Sequence, residues 1–135
     1  MLKLIIGVKG TGKTKALIST VNEAAAKSAG SVVCIEKGLG LRYDINYSVR
    51  LINTNEYLIF DTESLYGFIA GILASNHDIT DIFVDSALKI ANNDIASFDN
   101  FVKEVDELSQ KLNVNIVMTS SIPAEEASDI VKKFI

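Results

Sequence analysis

The sequence predicts a three-layer α/β fold in which helices cover both faces of a mostly parallel sheet. Two observations lead to this fold class. Short apolar runs of strand length alternate with stretches of helical period, which is the pattern of successive βαβ units. The glycine-rich stretch GVKGTGKT, residues 7–14, stands between the first apolar run and the first helical stretch. A chain of 135 residues fits one domain, so we expect a single unit over residues 1–135.

Four apolar runs are predicted as strands and four periodic stretches as helices. The strands are residues 2–6, 31–36, 81–85 and 114–119. The helices are residues 13–28, about 62–76, 98–112 and a last stretch that begins near Pro123. Asp61 or Thr62 is expected to cap the second helix, and acidic residues near the start of the last helix, with lysines near its end, favour one continuous helix. Residues 37–55 are less regular and suggest a loop with room for a hairpin.

Charge and composition limit the function classes. The chain carries 13 basic and 17 acidic residues, and an acidic chain is a poor general binder of nucleic acid. Residues 1–50 nevertheless hold 8 basic and 3 acidic residues, part of them around the glycine-rich stretch. No apolar run approaches the roughly 18 residues of a membrane-spanning helix, and the six residues before Gly7 are too few for a signal peptide. We therefore expect a cytoplasmic protein without a membrane segment.

The stretch GVKGTGKT matches the pattern G-x-x-x-x-G-K-[ST] at every required position. Its glycines let successive backbone N–H groups converge on a phosphate at the start of a helix. Lys13 is expected to reach the β and γ phosphates, and Thr14 to help hold magnesium. The alternative is a glycine turn with a structural role only. The predicted phosphate-binding residues are Gly7, Val8, Lys9, Gly10, Thr11, Gly12, Lys13, Thr14 and Lys15.

A magnesium nucleotide also needs an acid at the end of a neighbouring strand. Asp85 ends the run IFVD and is the predicted metal-associated residue. Asp81 precedes the apolar residues of the same run, so it would lie at the opposite end of a parallel strand, far from the phosphates. The alternative for Asp85 is a simple cap of the strand end.

Two classes of phosphate-loop protein find little support. The chain contains neither a D-x-x-G nor an N-K-x-D string, the two strings that GTPases usually carry, so a GTPase is not expected. Arg42 and Arg50 are its only arginines, whereas small-molecule kinases usually clamp the transferred phosphoryl group with several. A kinase would therefore be poorly equipped.

Three pieces of the sequence together resemble the RecA/KaiC-like branch of phosphate-loop ATPases. GTGKT, residues 10–14, is similar to the loop of that branch. IFVDSALKI, residues 82–90, is similar to its second nucleotide motif, and VVCIEKG, residues 32–38, ends a strand on Glu36, where that branch has its catalytic glutamate. The resemblance implies a RecA-like fold with ATP and Mg²⁺ as ligands. It also implies the strand order 2–6, 114–119, 81–85, 31–36, with ATP at the carboxyl ends.

The same resemblance implies roles for individual residues. Lys13 and Glu36 would be catalytic, with Glu36 activating the attacking water, and Thr119, Ser120 and Ser121 would sense the γ phosphate. On the alternative interpretation, Glu36 is an exposed carboxylate at a strand end, and the run MTSS only leads into a helix cap. Larger members often take an arginine or lysine finger from a neighbouring subunit, so a homo-oligomer is compatible with the resemblance. Twitching-motility ATPases are more distantly related and carry acidic and histidine motifs that this chain lacks.

These patterns leave one leading function and two alternatives. The leading function is an ATP-binding protein that hydrolyses magnesium ATP with low intrinsic activity. The first alternative is an interaction protein in which ATP orders residues 37–55 and exposes a surface for an unidentified protein partner. The second alternative is a phosphotransferase that acts on a small molecule.

Overall fold

Five parallel strands form one sheet in the computed structural model, which describes all residues from 1 to 135. The order across the sheet is β1-β5-β4-β2-β3, and each neighbouring pair is parallel. The strands are β1, Leu2–Ile6; β2, Ser31–Glu36; β3, Arg50–Asn53; β4, Ile79–Val84; and β5, Asn115–Ser120. The order predicted for the four longer strands, with the α/β class and the mostly parallel sheet, is confirmed.

Five α-helices connect or follow these strands. They are α1, Lys13–Lys27; α2, Thr62–Ser75; α3, Ala87–Ile90; α4, Ile95–Leu112; and α5, Asp129–Lys132. Short 3₁₀ turns cover Thr54–Tyr57 and Ala124–Glu126. No helix has both the length and the apolar character needed to cross a membrane.

The residue before each of the three long helices favours the start of that helix. Asp61 caps α2, because its carboxylate accepts a hydrogen bond from Ser64 N, while the Ser64 hydroxyl oxygen accepts one from Asp61 N. Such a reciprocal pair satisfies two backbone donors that a helix start leaves free. Asp94 caps α4 by accepting from Ser97 N. Gly12 precedes α1 in a left-handed conformation, so α1 starts directly from the glycine-rich stretch.

Two apolar clusters lie on opposite faces of the sheet. Alternate residues of β2 show this division, since Val33 and Ile35 belong to the larger cluster and Val32 and Cys34 to the smaller one, as expected for side chains that alternate along a strand. The larger cluster holds the buried faces of α2 and α4, and the smaller one lies under α1. The sheet is therefore covered on both faces, as a parallel sheet requires.

The structure corrects two local predictions. Residues 37–55 contain no hairpin; they include β3, which pairs in parallel with β2 as the last strand of the sheet. The sequence did not predict β3, because its four residues, RLIN, are too few to show the period of a strand. Its pairing partner, β2, is also separated from it by the intervening loop. The last helix is not continuous, because Ala127 and Ser128 are extended between the 3₁₀ turn and α5. Burial of Ala127 and Val131 in the larger cluster favours this break.

Candidate functional site

The loop between β1 and α1 has a backbone conformation that depends on its glycines. Gly10 and Gly12 have φ angles of 86° and 85°, a region that side chains disfavour. A Cβ added at either position would meet no atom within 4 Å, so both glycines border open space. At Gly7, a Cβ would come within 2.7 Å of the Thr11 hydroxyl. Because Gly10 and Gly12 have no side chains, a ligand can approach the backbone N–H groups of this loop closely, as an anion would.

The side chains of Lys13 and Thr11 form hydrogen bonds within the glycine loop. The Lys13 ammonium and the Thr11 hydroxyl each donate a hydrogen bond to the carbonyl oxygen of Val8, both at 2.8 Å. A lysine ammonium has three donors and no acceptor, so Lys13 keeps donors for a further oxygen ligand. Lys9 and Lys15 stand at either side of the same loop and line the pocket described below.

Asp85 lies directly beyond β4 and faces the start of α1. Its Oδ1 accepts hydrogen bonds from the Thr14 hydroxyl at 3.1 Å and from the Thr119 hydroxyl at 2.9 Å. Its backbone N–H donates to the carbonyl of Ile35 at 2.8 Å, which fixes Asp85 against β2. Thr14 and Thr119, which were predicted from separate motifs, thus both contact the Asp85 carboxylate. Asp81 pairs with Asn115, the first residue of β5, and lies at the opposite end of the strands.

The three polar residues at the end of β5 differ in their exposure. Thr119 and Ser120 are buried, and their hydroxyls accept hydrogen bonds from the backbone N–H groups of Ser86 at 2.7 Å and Leu88 at 3.4 Å. Ser121 is exposed and lines the pocket. Of the predicted sensor group, Ser121 is therefore the member with access to a ligand, whereas Thr119 and Ser120 hold the chain that follows Asp85.

Glu36 lies at the end of β2, next to β4, but it faces away from open solvent. The residue is 4% exposed, and its Oε2 accepts a hydrogen bond from Leu41 N at 3.1 Å. The alternative of an exposed strand-end carboxylate is therefore wrong. Burial raises the pKa of the Glu36 carboxyl above its usual value of 4.5; the Asp85 charge adds to this shift, and backbone hydrogen bonds from Leu41 and Gly40 oppose it.

A pocket of about 520 Å³ opens between the glycine loop and the segment after β4. Four lysines and no acidic residue line it, which favours an anionic ligand. Its lining residues are Lys9, Gly10, Gly12, Lys13, Thr14, Lys15, Ser86, Leu88, Lys89, Asn93 and Ser121. Lys89 and Asn93 were not predicted from the sequence, where they look like ordinary surface residues of a helix and a loop. The arginines Arg42 and Arg50 do not line this pocket.

Residues 37–49 have fixed contacts with α1. The Asn22 amide donates to the carbonyl of Asp44 and accepts from Asn46 N, at 2.9 and 2.8 Å. Leu41, Ile45 and Val49 are buried in the smaller cluster. This segment is therefore packed against α1 and the smaller cluster.

Comparison with solved structures identifies the fold. A KaiC-like protein from the hyperthermophilic archaeon Pyrococcus horikoshii matches over 98% of this chain with a TM-score of 0.72. The fold is RecA/KaiC-like. Sequence identity over the match is 15%, so the similarity concerns the fold. The chain spans 66% of that protein's length, just under two thirds. No protein-family model matches the sequence, and no curated protein matches it.

The RecA/KaiC-like fold explains why the predicted residues meet. In an open parallel sheet, ligands bind in the crevice at the carboxyl ends of the strands. The glycine loop, Asp85, Glu36 and the Thr119–Ser121 group each lie at the carboxyl end of a different strand or directly after it. All four groups therefore lie along the side of the sheet where the parallel strands end. In that row, β5 and β4 stand between β1 and β2.

Proposed function

We propose that this chain binds magnesium ATP in the pocket beside the glycine loop and hydrolyses the terminal phosphate slowly. One observation supports it most: the Thr14 hydroxyl, at the start of α1, lies 3.1 Å from the Asp85 carboxylate at the end of β4. A hydroxyl after the loop lysine and a strand-end acid are the two protein groups that hold magnesium in phosphate-loop nucleotidases. Their contact joins the two motifs that this chemistry needs.

Each residue of the proposed site has one task. The backbone N–H groups of residues 7–15 would bind phosphate oxygens at the start of α1. Lys13 would exchange its contact with Val8 for contacts with phosphate. Thr14 and Asp85 would hold magnesium, since this ion is usually held by one or two carboxylates together with substrate phosphates. The bound metal supplies neutralisation of the charge that develops on the phosphate oxygens.

Glu36 would act on the attacking water only after a local rearrangement. Its carboxylate is buried and bound to Leu41 N, whereas a general base must come within hydrogen-bond reach of the proton that it accepts. We therefore attribute low intrinsic activity to the conformation of Glu36. Assembly with further copies, a protein partner and a cytoplasmic location stay predictions from the sequence.

Calorimetric titration and a phosphate-release assay test this function. The wild-type chain should bind magnesium ATP, and Lys13→Ala should weaken binding by about ten-fold or more, because a charged hydrogen bond contributes roughly 1.5–3 kcal/mol. Glu36→Gln preserves an acceptor for Leu41 N but removes the base, so it should bind ATP normally and release less phosphate. Binding that is unchanged in Lys13→Ala would overturn the proposed site. If Glu36→Gln releases phosphate at the wild-type rate, Glu36 is not the base that activates the attacking water.

A second candidate is a nucleotide-controlled interaction protein, and the Glu36–Leu41 contact favours it. This contact joins the end of β2 to the packed segment of residues 37–49. If Glu36 turns toward the nucleotide, it gives up its contact with Leu41 N, and ATP would then loosen this segment. Limited proteolysis at residues 37–49 should become faster with a non-hydrolysable ATP analogue than with ADP. Equal rates with both nucleotides would exclude this form of control. No feature of the pocket favours the phosphotransferase.

A further inference from the structure

The pocket has two walls that come from different parts of the chain. The glycine loop and the start of α1, residues 9–15, form the first wall, with three of the four lysines. Residues after Asp85 form the second wall, which includes Ser86, Lys89 and Asn93. Lys89 is the one pocket lysine from outside residues 9–15. The second wall therefore adds one cation that the phosphate-loop motif does not provide.

Lys89 is the only exposed residue of helix α3, and it lines the pocket together with Leu88. The other residues of α3, Ala87, Leu88 and Ile90, are 0%, 7% and 1% exposed, whereas Lys89 is exposed. The backbone before Lys89 is fixed to β5, because the N–H groups of Ser86 and Leu88 donate to the hydroxyls of Thr119 and Ser120. The helix is thus anchored through its apolar side and its backbone, which holds the Lys89 backbone at the rim of the pocket.

The backbone on both sides of α3 is held in an unfavourable conformation. Ser86, Asn92 and Asn93 have φ angles of 56°, 56° and 58°, a left-handed region that costs energy for residues with a Cβ, although asparagine tolerates it best. Such residues persist where the surroundings fix them, and they cluster at ligand sites. Here Ser86 turns the chain immediately after Asp85, and Asn93 N donates to the carbonyl of Leu88 at 2.8 Å. The strained positions keep Lys89 and Asn93 beside the pocket.

The position of Lys13 indicates which part of a nucleotide this wall would contact. In phosphate-loop nucleotidases the loop backbone holds the α and β phosphates, and the loop lysine reaches the β and γ phosphates. The second wall lines the same pocket as Lys13, so the γ phosphate, which extends beyond the loop backbone, is the group that would face this wall. A lysine ammonium and an asparagine amide both donate hydrogen bonds to phosphate oxygens.

We propose that Lys89 and Asn93 bind the terminal phosphate of the nucleoside triphosphate, supplied by the same chain that supplies the glycine loop. This inference rests on the proposed function, because it assumes that the pocket holds a nucleotide. The two residues would distinguish ATP from ADP, which lacks the group that they contact. The chain would then need no neighbouring subunit for a cation at the γ phosphate.

The test compares the ATP-to-ADP preference of variants by calorimetric titration with magnesium present. Lys89→Gln should weaken ATP binding by about ten-fold and ADP binding by less than about two-fold, since a charged hydrogen bond to the missing phosphate is lost. Asn93→Gly retains a residue that adopts positive φ freely, and it should lower the preference for ATP by a smaller factor. Lys103→Gln is the matched control, because Lys103 is exposed on α4 and does not line the pocket.

Three outcomes overturn the inference in distinguishable ways. If Lys89→Gln weakens ATP and ADP equally, Lys89 contributes general attraction and does not recognise the terminal phosphate. If Lys89→Gln and Lys103→Gln both bind like the wild type, the second wall does not contact the nucleotide, while the proposed function stands. If the wild-type chain binds neither nucleotide, the proposed function fails and this inference fails with it. Unchanged thermal unfolding of Lys89→Gln is expected, because the side chain is exposed.

Discussion

Asp85 and Glu36 occupy equivalent places in two neighbouring strands, yet their surroundings differ. Ile35 pairs with Val84 in the parallel register, so the two acids follow at the same level of the sheet. Asp85 is partly exposed and accepts hydrogen bonds from two side-chain hydroxyls. Glu36 is buried and accepts one from the backbone. An acid at the end of a buried strand can therefore stay partly exposed among side-chain hydroxyls or be buried against the backbone.

The chain that follows each acid accounts for this difference. After Asp85, the left-handed Ser86 turns the backbone into α3 and leaves the carboxylate beside α1. After Glu36, residues 37–40 fold back over the carboxylate. Gly38 N donates to the Asn53 side chain on β3 at 2.8 Å, and Leu41 enters the smaller apolar cluster. The contacts of each following loop, rather than the acid itself, decide which carboxylate stays partly exposed beside α1 and which is buried.

The largest expected effect comes from removing the packing that holds the loop over Glu36. Leu41 is 5% exposed, so Leu41→Ala should lower the free energy of unfolding by about 2–4 kcal/mol through lost burial and a cavity. Leu39→Ala, at a position that is 51% exposed, should change it by less than about 0.5 kcal/mol. Urea unfolding of both variants measures the difference. Equal destabilisation would show that Leu41 does not close this loop.

A smaller effect, on ATP binding, is expected when Asp85 loses its charge. Asp85→Asn retains an oxygen acceptor for Thr14 and Thr119 but removes the carboxylate, so it should weaken magnesium-dependent ATP binding by about 10- to 100-fold. Titrations with magnesium and with a chelator separate the metal contribution. Asp81→Asn, at the opposite end of β4, is the matched control and should bind like the wild type. A loss of the same size in Asp81→Asn would contradict the assignment of Asp85.

The smallest effect is a pH dependence of stability from Glu36. Because burial raises the pKa of Glu36, the folded protein holds this proton more tightly than the unfolded chain does. The stabilisation is fully present below the usual pKa of 4.5 and is lost as the pH rises through the raised pKa. The free energy of unfolding of the wild type, relative to Glu36→Gln, should therefore fall above pH 4.5 and then level off. Its slope should not exceed about 1.4 kcal/mol per pH unit.

Urea unfolding at a series of pH values measures this difference. Glu107→Gln, an exposed acid on α4, serves as the control for a change of one carboxylate. A wild-type curve that rises relative to Glu36→Gln over the same range would mean that the ionised form of Glu36 is stabilised in the folded protein. The structural distinction between Glu36 and Asp85 would then need revision.

The sequence by itself determined the features that depend on local chemistry. The glycine pattern from Gly7 to Thr14 is contiguous, so its loop conformation and the start of α1 follow from neighbouring residues. Asp61 caps α2 within three residues, and the apolar runs of β1, β2, β4 and β5 are long enough to show their strand character. These elements, together with the resemblance to RecA/KaiC-like ATPases, were sufficient for the fold class and the strand order.

The tertiary structure decided the features that depend on residues far apart in the chain. Pairing with β2 makes a strand of Arg50–Asn53, and contacts with Leu41 and Asn53 place the loop that buries Glu36. Lys89 reaches the pocket because Thr119 and Ser120 anchor the turn before it. Hydrogen bonds and burial across such separations leave no periodic signal in sequence, so only the folded arrangement shows which polar residues share the pocket.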